Sequence, residues 1–196
     1  MKSRSRGFTL VELLVALGIA ALILGIAAPS FDDFRRNNRL TSAANDFLAA
    51  TQVARTEAIK RQVTVSICPS ADPTNDAATC SGAPFNGWIA FLDLNGDCAR
   101  AGAGEDVVNA GGPIATTVTA NSSGTCISFA ATGFTAPATD ATRTVFCDDR
   151  GLALLAGQNQ SAGRGVFVTN TGRSRVTRDA NSGAATDIST WGLGCP

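Results

Sequence analysis

Histidine and tyrosine are absent from this chain, methionine occurs once and tryptophan twice. Without histidine there is neither the usual general base nor the commonest zinc ligand, which disfavours most hydrolase mechanisms. Charge is also scarce, with 16 basic and 16 acidic residues among 196. Three of the bases, Lys2, Arg4 and Arg6, sit at the extreme N-terminus. Without them 13 bases face 16 acids, so any anion-binding role rests on a local patch. No internal repeat, extended low-complexity tract or close Cys-x-x-Cys pair occurs. No enzymatic activity, cofactor or metal site is expected. The length fits about one domain with its own core plus an appendage.

Cysteine is present, and only beyond an apolar N-terminal run: Cys68, Cys80, Cys98, Cys126, Cys147 and Cys195. An even number at wide spacing behind a membrane-directed N-terminus points to disulfides in an oxidising compartment rather than to metal ligation. Sequence alone leaves the pairing open. The preferred set is Cys68 with Cys80, Cys98 with Cys126, and Cys147 with Cys195.

The apolar run, Phe8 to Ala28, carries one charge, Glu12, in 21 residues. That length is close to the ~20 residues a helix needs to cross a bilayer. A cleavable secretory signal has a similar outline, with a basic leader and small residues at Ala27 and Ala28, but its apolar core is shorter, about 7–15 residues. A carboxylate inside a spanning helix costs about 2.5–3.5 kcal/mol near the middle and less near the end, and such a charge usually has a partner.

With these features, GFTLVELLVALGIAALILGIAAP resembles the class III signal of type IV pilins and of the pseudopilins of type II secretion. The resemblance implies a cut by prepilin peptidase after Gly7, N-methylation of Phe8 and retention of the helix. It also implies a single-pass protein of the inner membrane with a periplasmic head, which joins other pilin subunits in a pilus at the cell surface. Glu12, at the fifth position after the cut, would pair with the new amine of Phe8 on a neighbouring subunit. An unpaired charge in an apolar core is costly, so that contact would favour one register.

Pro29 follows and should bend the helix that continues past it. From Phe31 to about Arg61 the apolar positions Phe31, Phe34, Leu40, Ala44, Phe47, Leu48, Ala54 and Ala58 recur every three or four residues, the pattern of an amphipathic helix. Four segments follow: a leader at 1–7, a transmembrane helix at 8–28, an amphipathic helix at 29–62 and a β-rich head at 63–196. Strands are expected at 63–68, 88–93, 115–119, 126–129, 143–147, 152–155, 165–170 and 173–177. Long connections are expected at 69–87, 97–112, 120–124 and 156–164. The fold class is α+β, a long N-terminal helix packed on an antiparallel sheet or sandwich.

The head resembles the FimT/GspH family of minor pilins and pseudopilins through NGWIAFLDLNGD (86–97), the ISF and TGF segment (127–134), FCDDRG (146–151) and VFVTNTGRSRV (166–176). Within DLNGD, Asp93, Asn95 and Asp97 have the opening spacing of a calcium loop. The glycine position of such a loop holds Cys98, however, and its twelfth position holds Gly104 instead of glutamate. A hairpin tip with Asn-Gly turn chemistry accounts for the same letters.

Charge is segregated along the chain. Residues 143–178 hold six arginines (Arg143, Arg150, Arg164, Arg173, Arg175, Arg178) against Asp148 and Asp149, whereas residues 40–142 hold four bases and nine acids. Arginine offers a planar fork for phosphate and can stack on bases. If 173–177 is extended, Arg173 and Arg175 share a face and Gly172 allows the turn that presents them. In the resembled family a GRxR-type C-terminal motif marks FimT proteins that bind DNA during natural transformation, and Gly172, Arg173 and Arg175 match it. Sequence-independent DNA binding by Arg143, Arg164, Gly172, Arg173, Arg175 and Arg178 is the expectation. The alternative is a GspH-like minor pseudopilin of type II secretion with a purely structural role, its arginines guarding a strand edge.

Overall fold

In a computed structural model of the chain, residues 7–81, 85–101, 104–137, 139 and 142–195 are described, with backbone alone at 26–29. Of the expected leader, only Gly7 falls among them. Helix α1 spans Leu10–Arg61. Thr9 starts it, its hydroxyl accepting from the Glu12 amide and its carbonyl from the Leu13 amide, both at 3.2 Å. The helix stops at Gln62, whose φ is 56° and whose Nε2 donates to the Ile59 carbonyl at 2.6 Å, satisfying one of the acceptors a helix end leaves open.

The chain divides into two compact units, Met1–Asn38 and Arg39–Pro196. In the first, every described Leu, Ile, Val and Phe side chain is exposed, from Phe8 to Phe34. So much apolar surface on all sides of a helix requires apolar surroundings. Among the described residues no single helix is long and apolar enough to cross a membrane. Leu10–Gly25 and Ser30–Arg61 meet the length and composition only as a broken pair.

The second unit is built on eight strands: β1 Val65–Ser70, β2 Gly87–Leu92, β3 Val107–Gly111, β4 Thr119–Ser122, β5 Ile127–Phe129, β6 Arg143–Cys147, β7 Gln160–Val168 and β8 Ser174–Asp179. They form two four-stranded antiparallel sheets, ordered β3-β2-β1-β5 and β4-β6-β7-β8. Leu40, Ala44, Phe47, Ala54 and Ala58 of α1 are buried with Val65, Ile67, Phe129, Phe146, Val166 and Val168 from the two sheets. The alanines on that stripe let the helix approach closely. Phe47 fills the remaining space, its ring 5.2 Å from Trp88 and 5.7 Å from Phe146.

Four strand expectations need correction, the first being 115–119, which is a turn and loop up to the start of β4 at Thr119. Residues 107–111 and 119–122, expected to lie in or mostly in connections, are β3 and β4, while 152–155 makes only an isolated bridge from Leu154 to Ser161. β4 is Thr-Ala-Asn-Ser, with little intrinsic strand preference, and its pairing with β6 sets its conformation. β7 begins earlier than expected, at Gln160, because a bulge between Gln160 and Gly165 carries pairing with β8 past Gly163.

The sheet faces turned away from α1 are partly covered by loops that disulfides fasten. Cys68 is joined to Cys80 and Cys98 to Cys126 over the first sheet, and Cys147 to Cys195 over the second. DLNGD opens the connection from β2 to β3 and is not a tight hairpin tip. Asp93 shapes it from inside: its carboxylate accepts from the amides of Gly96 (2.7 Å), Asp97 (3.1 Å) and Cys98 (3.2 Å) and from Ser66 Oγ (2.5 Å). With four donors satisfied, this carboxylate acts as a turn keystone.

Candidate functional site

Side chains alternate across a strand, so the second sheet sorts its arginines by parity. Thr144, Phe146, Val166, Val168, Ser174 and Val176 face α1. This is seen in the shared core and in the 2.9 Å bond from Thr51 Oγ1 to Ser174 Oγ. Arg164 and Arg178 have the same parity. Arg143, Phe167 and Arg175 have the opposite one, on the face that carries Val145, Ile188 and Trp191.

Arg164 therefore leaves the expected DNA-binding set. It is 4 % exposed, and its Nη1 donates to the carbonyls of Ala162 (2.7 Å) and Gly163 (3.1 Å) while Nε donates to Thr41 Oγ1 (3.2 Å). Burial, then the charges of Arg178 and Arg150, lower its pKa to about 10. Arg178 is half-buried, with Nε and Nη2 directed at the Ser161 carbonyl. Arg150 is bound to Asp148 at 2.7 Å. These three arginines brace the fold.

Arg173 and Arg175 are exposed, and among the described residues neither forms an ion pair. They line a depression of about 420 Å³ with Thr169 and Thr171. β8 is the edge strand of its sheet. The hairpin before it is closed by the Thr169 amide donating to the Arg173 carbonyl (3.0 Å) and the Gly172 amide donating to the Thr169 carbonyl (2.8 Å). Gly172 is required there: its φ is +74°, and a Cβ would overlap the Gly133 carbonyl oxygen. Arg143 lies over the Trp191 ring, 5.7 Å from its centroid.

Arg55 was not expected at this site. From α1 it donates to the Gly133 carbonyl (2.8 Å) and to the Thr171 carbonyl (3.3 Å), tying the helix to the tip of the arginine hairpin. The sequence signal was an arginine one position beyond Ala54 on the buried stripe, at the margin of the apolar face. The N-terminal candidates lie in the other unit. Gly7 has open space around it, Phe8 is 81 % exposed, and Glu12 sits in the first turn of α1.

A strongly apolar helix leading into a helix-backed, two-sheet antiparallel head is the plan of a pilin-type subunit. The family model of Type II transport protein GspH matches residues 43–172, about two thirds of the chain, and the chain belongs to that family. The prokaryotic N-terminal methylation motif matches residues 2–28. Two crystal structures of the type IV minor pilin FimU of Pseudomonas aeruginosa (strain PAO1) are similar in fold. The one in space group P21 has 24 % identity, a TM-score of 0.49, and covers 73 % of this chain and 91 % of its own. The one in P65 has 23 % identity, a TM-score of 0.47, and covers 70 % and 91 %. No curated protein matches. The chain is a pilin-type subunit of the GspH family, and its methylation motif implies a membrane anchor in the hydrophobic N-terminal helix, processing by prepilin peptidase and assembly with other pilins.

Proposed function

We propose that this subunit takes part in assembling a type IV pilus and binds DNA, independent of sequence, through Arg173 and Arg175 with Arg143 beside them, in the service of natural transformation. The observation that carries the reading is that Arg173 and Arg175 are exposed on one edge-strand groove without an ion pair among the described residues, while Arg150, Arg164 and Arg178 are engaged internally. In this reading prepilin peptidase cuts between Gly7 and Phe8, Glu12 registers the subunit against the Phe8 amine of a neighbour, and the head lies on the periplasmic side of the inner membrane before assembly.

Phosphate contacts release counterions, so three arginines give a slope of about −2.7 in log affinity against log salt. Duplex binding should weaken roughly 40-fold between about 50 and 200 mM salt. The test is fluorescence anisotropy of labelled duplex with the detergent-solubilised full chain. Arg173→Ala with Arg175→Ala should reduce the slope by about 2 and the affinity across all sequences. Undiminished binding by that double variant would sink the assignment.

The second reading, a GspH-like pseudopilin of type II secretion with no ligand, is favoured by the place of β8 at a sheet edge, where charged side chains discourage edge-to-edge pairing. It predicts no DNA retention even at low salt, and self-association when Arg173 and Arg175 are replaced.

A further inference from the structure

Arg143 pairs across the sheet with Phe167, and Phe167 with Arg175. The three share the face away from α1, so they form one row across β6, β7 and β8, an aromatic ring between two guanidinium groups. Neighbouring strands lie about 4.8 Å apart, which sets the two arginine backbones about 10 Å apart with Phe167 midway. Two depressions adjoin along this row. One, of about 490 Å³, is lined by Arg143, Phe167, Thr169 and Thr171; the other, of about 420 Å³, by Thr169, Thr171, Arg173 and Arg175. Thr169 and Thr171 belong to both, so the surface is continuous from the hairpin tip to β6.

Two further observations mark this row as more than edge protection. Arg143 Nε is buried without a hydrogen-bond partner among the described residues. Phe167 is only partly buried, its ring 6.3 Å from Trp191, and its accessible part faces the first depression. A strand edge could be guarded by Arg175 alone and would need neither.

We infer that the row Arg143–Phe167–Arg175 is a platform for single-stranded nucleic acid, with a base stacked on Phe167 and the flanking phosphates held by Arg143 and Arg175. The inference rests on the DNA-binding reading above and narrows its ligand. A duplex keeps its bases stacked inside and offers this surface phosphates only. A single strand also offers a π-face, and stacking on an aromatic side chain is indifferent to base identity. Arginine on either side adds cation–π contact to phosphate pairing.

The test compares a labelled oligo-dT strand with a duplex of equal length, using the full chain in detergent at about 50 mM salt. The native protein should prefer the single strand. Phe167→Leu, which keeps an apolar side chain against Trp191, should weaken single-strand binding about 5- to 100-fold and leave duplex binding unchanged. Phe167→Tyr, which keeps the ring, should retain the preference, and tryptophan fluorescence checks that both variants are folded. Equal affinity of the native protein for the two ligands, or equal weakening of both by Phe167→Leu, would overturn the platform while leaving phosphate binding by Arg173 and Arg175 standing. Absence of any DNA binding by the native protein would remove both.

Discussion

The arginines show how far one residue type can diverge within 36 positions. Arg164 and Arg175 are equally basic in the sequence, yet one spends its donors on the Ala162 and Gly163 carbonyls while the other stands in solvent. Part of that was legible. Within β8 the odd and even positions take opposite faces, so Arg175 separates from Arg178 by parity alone. Arg164 was not legible, because the expected strand began at 165, whereas β7 extends back to Gln160 and pairs Arg164 with Phe146 on the face toward α1. Arg164→Ala should accordingly change DNA affinity by less than about twofold, whereas Arg175→Ala should lower it at every sequence, the pattern of a lost phosphate contact. Parallel anisotropy titrations check both. Gly172 is the opposite case, a residue whose role was foreseen but whose reason lies in its surroundings. Gly172→Ala would hold an L-residue at φ +74° against the Gly133 carbonyl, so it should destabilise the head by about 1–3 kcal/mol and lower its melting temperature. DNA affinity should fall with it, since the same turn sets the direction of Arg173.

At the scale of elements, the segment after β8 is held by one carboxylate and one disulfide. Asp187 caps a short 3₁₀ turn, Ile188–Thr190, and accepts from the Ser189 hydroxyl (2.5 Å), and from the amides of Gly183 (2.9 Å), Ser189 (3.0 Å) and Ser182 (2.7 Å). These bonds, the Ser189 hydroxyl foremost, lower its pKa from 3.8 to about 2 against the opposing effect of burial. A carboxyl more acidic in the folded state than in the unfolded one favours folding at pH above about 4. That contribution is lost as the pH falls from there toward 2. Trp191, packed on Phe167, should report the loss as a fluorescence change over that interval, and Asp187→Asn should flatten it. Opening the Cys147–Cys195 link frees a 48-residue separation, and in the chain-entropy view its removal costs about 4 kcal/mol. Cys147→Ser with Cys195→Ser should show that in denaturant unfolding and should also disturb the Arg143–Trp191 contact. The strand β6 was legible to the residue because Thr, Val and Phe in Arg-Thr-Val-Phe-Cys favour a strand that is buried on both faces. The strand β4 was not, because its four small residues, Thr-Ala-Asn-Ser, are extended only by what they pair with.

Across the whole molecule, the chemistry is divided between two units that share one helix. Glu12 belongs to Met1–Asn38 and the arginine surface to Arg39–Pro196, so damage to one should leave the other intact. Glu12 itself admits two explanations. Thr9 and Glu12 have the Thr-x-x-Glu spacing of a capping box, the Thr9 hydroxyl already accepts from the Glu12 amide, and a negative charge in a first turn suits the positive end of the helix. A local role of that kind is worth about 1 kcal/mol and belongs to the isolated subunit. Pairing with the amine of a neighbour instead belongs to the assembly, and the two separate by chemistry. Glu12→Gln removes the charge but keeps a side chain that can serve a capping box, which accepts Glu or Gln. If the charge registers subunits, Glu12→Gln should block incorporation into filaments as completely as Glu12→Ala does. The melting temperature of the head and its DNA affinity should stay at native values in both variants. If Glu12→Gln assembles normally and only Glu12→Ala fails, the carboxylate is a helix cap and the register must come from the apolar side chains around it. Filament incorporation, scored by recovery of the subunit in sheared pili, decides between them.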